Sequence, residues 1–180
     1  MALTVAQIQS AKSDDELLDL LMAELNLLFP KELRRDQIVF LSKLQAAPPG
    51  MRAMATTFNL DVSMSLDDLA WHFVNHHDLD LYEETLHGLR ELGATEAAEI
   101  FAEAYSIIEP FWNQLEEVAS GNNFENVHGW LDENGIQKRI DPLNQRMWDL
   151  LNQWRDHGIM HFWIDYARKH PPQCVSSGTE

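Results

Sequence analysis

His72, His76 and His77 fall within six residues of one another and are followed at once by Asp78 and Asp80. These are the residue types that bind zinc, through imidazole nitrogen and carboxylate oxygen, usually with four ligands. His72 and His76 are spaced i, i+4, which places both on one face of a helix. The zinc-protease pattern, however, is H-E-x-x-H, in which the glutamate is the catalytic base. Here the run is His72-Phe73-Val74-Asn75-His76, and the base is missing. His76 and His77 also follow Asn75 at an expected helix end. A solvated, partly C-capping histidine cluster accounts for them without a metal. A metal-dependent hydrolase built on His72, His76 and Asp78 or Asp80 remains the enzymatic alternative, but neither a metal nor another cofactor is assigned.

Other catalytic signals are missing. There is no Gly-rich phosphate loop, no G-x-S-x-G and no C-x-x-C. Cys174 is the only cysteine, so no internal disulfide can form. Adjacent acids recur at Asp67-Asp68, Glu83-Glu84 and Glu116-Glu117. General acid–base catalysis needs such a pair held in a cleft with divergent pKa values. On surface helices they are only charge, and a non-enzymatic protein is the expectation.

That charge is segregated. The chain holds 29 acids against 13 Lys and Arg, for a net of −16. From Ala53 to Gln137 there are 17 acids and one base, Arg90, while the two flanks carry 12 of each and cancel. Solubility alone does not require this separation. A dedicated acidic face predicts it, if the middle segment folds as one surface. Such a face disfavours nucleic acid and anionic membranes as ligands and favours basic partners. On the helix expected after Thr95, Glu96, Glu99 and Glu103 step i, i+3, i+7 along one stripe, with no Lys or Arg four residues on. Asp67, Asp68, Asp78, Asp80, Glu83 and Glu84 could extend the row. Each DNA strand presents one charge per ~3.4 Å of axis, and a rigid scaffold of acids can offer a DNA-binding protein a similar field. The eight histidines would offset up to half of this charge in mild acid if all titrated near ~6.5.

The elements that must position these residues read as helices throughout. The pattern predicts an all-α, single globular domain of about eight or nine short helices over 1–172, with a disordered tail at 173–180. Ser13 and Glu16 stand in capping-box spacing before "DELLDLLMAELNLLFP". Ser65 is expected to cap "LDDLAWHFVN", Gly93 to end "DLYEETLHGLRELG", Thr95 to cap the next helix, and Pro110 to kink or divide it. Asp141 and Pro142 read as the N-cap and first position of a later helix. The six tryptophans are expected to fill the interior, with one or two available to a homodimer or partner interface. No apolar run approaches the ~20 residues that span a bilayer, and the N-terminus lacks the basic-then-apolar signal pattern. The cytoplasm is therefore the expected location.

The stretch "LAWHFVNHHDLDLYEETLHGLRELGATEAAEIFAEAYSIIEPF" resembles a bacterial family of small acidic all-helical domains, long catalogued as a domain of unknown function and linked to DNA-mimic proteins. Phe73, Asn75, Leu86, Leu89, Leu92, Gly93, Ala94, Ala98 and Phe101 carry the resemblance. The closing "IDPLNQRMWDLLNQWRDHGIMHFWIDYARKHPP", ending on His170-Pro171, is similar to the family's last two helices. The match spans roughly 50–171. Two features depart from the family: Asp67 and Asp68 stand near its usual Asn-Gly-Gly-Phe stretch, and His76-His77-Asp78 replaces its Ser-Gly turn. The resemblance implies an acidic helical domain, often dimeric and without catalytic residues, that binds a DNA-binding protein in place of DNA. The leading expectation is therefore a DNA mimic acting on a basic DNA-binding protein, with a helix-turn-helix regulator as one candidate. An immunity-type protein that neutralises a basic toxin is the runner-up.

Overall fold

Pro49–Leu66 forms the longest helix, and small residues bury it on several sides: Gly50, Ala53, Ala55, Thr56, Thr57 and Ser63 are all enclosed. The computed structural model describes residues 2–34, 36–120, 124–154 and 157–176. Within them, α1 (Val5–Ser10), α2 (Asp14–Leu28), α3 (Lys31–Arg34) and α4 (Gln37–Leu44) precede this central α5 (Pro49–Leu66). Then come α6 (Leu69–Asn75), α7 (Leu79–Glu91) and α8 (Thr95–Ile108), a 3-10 turn at Glu109–Phe111, and α9 (Trp112–Ala119). α10 (Phe124–Glu133), α11 (Ile136–Leu151), a 3-10 turn at Asn152–Trp154, α12 (Met160–Lys169) and a 3-10 turn at Pro171–Cys174 complete the order. No strand occurs among the described residues, and none of their helices is long and apolar enough to cross a membrane.

α5 serves two cores. Its first half packs Met51 and Met54 among Leu17, Leu21, Leu25 and Phe29 of the N-terminal helices and Trp163 of α12. Its second half packs Leu60 and Met64 among Phe73 of α6, Phe101 of α8 and Ile140 and Met147 of α11. Phe162 touches both clusters. Two indoles tie their helices to α5: Trp163 Nε1 donates to Thr57 Oγ1 at 2.9 Å, and Trp148 Nε1 donates to the Met64 carbonyl at 3.0 Å. Trp163 and Trp71 are buried, and Trp112, Trp130, Trp148 and Trp154 are partly so.

α7 is the most extensive neighbour of α5. Gly88 makes that approach possible: a Cβ there would lie 2.4 Å from Thr56 Oγ1 and 3.0 Å from the Ala53 carbonyl oxygen. One turn earlier, Thr85 Oγ1 lies 3.3 Å from the Thr56 carbonyl and 2.8 Å from its own Leu81 carbonyl, so its hydroxyl is satisfied at the interface.

The all-helical reading holds, with finer divisions and shifted ends. Ser13 caps α2 as expected, accepting from the Glu16 N–H at 3.1 Å, while the Glu16 carboxylate accepts from Lys12 N–H at 2.8 Å. Pro110 divides α8 from α9, and Gly93 follows α7 with φ +75°. Ser65 does not cap α6. It lies inside α5 and bonds back to the Asp61 carbonyl, and Asp68 is the cap. α8 starts from Ala94, with Thr95 as its first residue. α11 begins at Ile136 and runs through Pro142, because Ile136 and Ile140 are both buried in the second core. That burial outweighs the bond Pro142 cannot donate. The expected disordered tail is also corrected: Gln173 and Cys174 belong to the closing turn, where Cys174 is fully buried against the first core. Residues 177–180 of that tail lie outside the described residues.

Gly88→Ala should lower unfolding stability by about 1–3 kcal/mol in urea denaturation, because the added methyl must push α7 from α5. Gly129→Ala on α10, where a Cβ meets nothing within 4 Å, should be neutral or stabilise by up to about 1 kcal/mol. Equal effects of the two would contradict the close-packing account.

Candidate partner-binding surface

The histidines separate into different environments. His72 is 3% exposed and lies against Phe73 and Phe101. Its Nδ1 is 3.0 Å from Ser63 Oγ, which itself bonds the Asn59 carbonyl at 2.9 Å. With the Ser63 proton directed to Asn59, the Nδ1–H tautomer of His72 completes the chain. Burial holds His72 well below the usual imidazole range, and His76 adds to that depression. His76 is part-buried, 4.9 Å from His72 between ring centroids, and burial lowers it too. His77 turns elsewhere: it stacks on Trp112 at 4.0 Å, with Nε2 2.9 Å from the Trp112 carbonyl. Asp78 caps α7, accepting from Leu81 N–H at 2.9 Å, and Asp80 is exposed. Among the described residues no three His, Cys, Asp or Glu side chains are grouped as a metal would require. His72 and His76 also withdraw from the mild-acid titration expected of all eight histidines.

The acids sort into three kinds. Asp68 and Asp78 are helix caps. Asp68 Oδ1 accepts from Trp71 N–H at 2.9 Å, and its Oδ2 accepts from Gln137 Nε2 at 2.8 Å and Asn144 Nδ2 at 3.3 Å, which joins α6 to α11. Glu84 and Glu103 are ion-paired. Arg52 of α5 grips Glu84 through both Nε and Nη2, and Arg146 of α11 reaches Glu103 at 2.9 Å. Asp67, Asp80, Glu83, Glu96 and Glu99 are exposed and form no ion pair among the described residues.

Sequence reasoning missed Arg52 and Arg146. Both lie outside the acidic segment, and only the packing of α5 on α7 and of α11 on α8 brings them to it. Helical periodicity did find the face of α8: Ala97, Ile100, Ala104 and Ile108 are buried while Glu96, Glu99 and Glu103 face water.

A cleft of about 590 Å³ lies elsewhere on α7, lined by Gln45, Arg52, His87, Glu91, Tyr166 and His170. Of its charged groups, Arg52 turns to Glu84 outside the cleft, while Glu91 is engaged within it. The Tyr166 hydroxyl donates to Glu91, and burial together with that carboxylate pushes the hydroxyl up, so it remains a donor.

A sequence model of the DMP19-like protein family matches residues 45–170, more than two-thirds of the chain. The chain belongs to the DMP19-like protein family. The family region starts just before α5 and ends at the close of α12, so α1 to α4 lie outside it while supplying much of the first core. No curated protein and no solved structure matches the chain.

Two predictions separate structural from free groups. Asp68→Ala should cost about 1–2 kcal/mol in thermal or urea unfolding, through the lost cap and two stranded amide donors. Asp67→Ala should stay within about 0.5 kcal/mol, and similar losses for both would contradict the sorting. For His72, the folded pKa lies below the unfolded ~6.5, so it changes nothing above that pH. As pH falls through ~6.5 the unfolded chain takes up a proton that the folded chain refuses. Stability is then lost at up to about 1.4 kcal/mol per pH unit. Urea unfolding between pH 7.5 and 5.5 should show this slope, and His72→Gln should reduce it to what the lowered His76 contributes. An unaltered slope in the variant would contradict the assignment.

Proposed function

We propose that this DMP19-like chain is a non-enzymatic acidic binding protein, a DNA mimic that occupies the DNA-binding surface of a basic DNA-binding protein. The observation that carries the reading is the set of exposed acids that form no ion pair among the described residues on α7, α8 and the α5–α6 corner: Asp67, Asp80, Glu83, Glu96 and Glu99. On α8 the rise of the helix separates Glu96, Glu99 and Glu103 by about 4.5 and 6 Å along the axis, against ~3.4 Å per charge on a DNA strand. The stripe is sparser than a strand but of the same order, and it is fixed on a helix whose other face is buried. Glu103 is met by Arg146, but the like charges of Glu96 and Glu99 three residues apart cost a few tenths of a kcal/mol, and a cationic partner relieves that repulsion. The family resemblance supports the same reading.

The mapping narrows to the free acids, because Asp68, Asp78 and Glu84 hold the fold. Replacing Asp67, Asp80, Glu83, Glu96 and Glu99 together by Lys should remove capture of DNA-binding proteins from host lysate at low salt. The circular dichroism spectrum should remain that of the wild type, with only a modest fall in Tm, because Lys replaces an acid in the first turns of α7 and α8. Capture by wild type should also fall steeply as salt rises. A folded variant that captures the same proteins undiminished would sink the mapping.

A further inference from the structure

An aromatic surface borders the free acids. Tyr82 of α7 and Tyr105 of α8 stack nearly parallel, 3.8 Å between centroids and 18° between planes. Tyr105 meets Trp112 edge-on at 5.5 Å, and Trp112 carries His77 stacked at 4.0 Å. All four rings are only half-buried. Beneath them lies a rigid floor: Phe73 is 1% exposed, stacks on Phe101 at 5.2 Å, and touches Tyr82, Tyr105 and Trp112 at 6.0 to 6.4 Å.

Carboxylates stand at the edge of this surface. Glu83 follows Tyr82 on α7 and is exposed. Glu109 lies one turn beyond Tyr105, and its N–H donates to the Tyr105 carbonyl. Both tyrosine hydroxyls are pushed up, first by burial. Glu109 and Glu83 add to the rise at each of them, while Arg90 opposes it at Tyr82. The two carboxylates, one on α7 and one in the 3-10 turn that follows α8, therefore act on both hydroxyls at once. Neither forms an ion pair among the described residues.

We propose that the Tyr82–Tyr105 stack, with Glu83 and Glu109 beside it, is a recognition site for an arginine side chain of the partner protein. A guanidinium is planar and weakly hydrated. It stacks on an aromatic face and keeps its N–H fork free for carboxylates, which a lysine ammonium cannot do in one plane. Ordered rings on a buried floor also lose little entropy on binding, the property of interface anchors. The site rests on the acidic-binding reading above and deepens it: the acids attract any cation, and the aromatic pair selects arginine.

The test uses the full chain with two fluorescent probes of equal charge, octa-arginine and octa-lysine, at low salt. Octa-arginine should bind about fivefold more tightly than octa-lysine. Tyr82→Leu/Tyr105→Leu should erase that preference while keeping octa-lysine affinity. Proton NMR of the wild-type chain supplies a readout that needs no variant: the ring signals of both tyrosines should shift on titration with octa-arginine. Equal affinities for the two probes, or tyrosine signals that stay fixed as octa-arginine saturates, would overturn the arginine site. If both probes still bound the wild type, and the five Lys replacements removed that binding, the acidic surface would stand without it. Binding of neither probe would overturn both readings.

Discussion

The approach of α7 to α5 is the contact on which the rest of the structure depends. It requires the absence of a side chain at Gly88 and short polar residues opposite, Thr56 and Thr85, whose hydroxyls are satisfied within the two helices. Once α7 is seated there, Asp80 and Glu83 face water and Arg52 meets Glu84. The same seating brings Tyr82 against Tyr105 of α8. A packing constraint between small residues thus sets where the negative charge of the molecule is displayed.

The acidic segment does several jobs. Asp68 and Asp78 spend their charge on helix N-termini, where orphan N–H groups need acceptors. Glu84 and Glu103 are met by cations from distant parts of the chain. Asp67, Asp80, Glu83, Glu96 and Glu99 are exposed and form no ion pair among the described residues, although Asp80 and Glu96 stand in the first turns of α7 and α8, where negative charge suits the helix dipole. None of the five makes an ion pair that holds the fold, and where they neighbour one another their repulsion opposes folding slightly. That combination is what a surface kept for a cationic partner would show.

The helical class, the caps at Ser13 and Gly93, the break at Pro110 and the stripe on α8 were legible because each is set by neighbours within a turn or two. The misplaced caps at Ser65, Thr95 and Asp141 differ in cause: Asp68 supplies the cap of α6 three residues after Ser65, α8 begins one residue earlier, from the buried Ala94, and α11 starts early and buries Ile136. Cys174 read as part of a tail because a polar run surrounds it, yet it fills a place in the first core. In the site, the expected helix end at Asn75 is where α6 stops, but the histidines read there as a solvated cluster are not one, since His72 is buried. His72 turns inward and His77 turns towards Trp112. The pairings of Arg52 and Arg146, and the meeting of Tyr82 with Tyr105, depend on helix packing that no spacing in the sequence encodes.

The central claim is that this surface replaces DNA on a protein that binds DNA. The most direct measurement takes one DNA-binding protein captured at low salt, assembles it on labelled duplex DNA, and titrates in the acidic chain while following the mobility of the DNA. The account predicts that free duplex is released as the acidic chain occupies the same site, with no species containing all three. A stable ternary complex, or DNA that stays bound at saturating acidic chain, would contradict it.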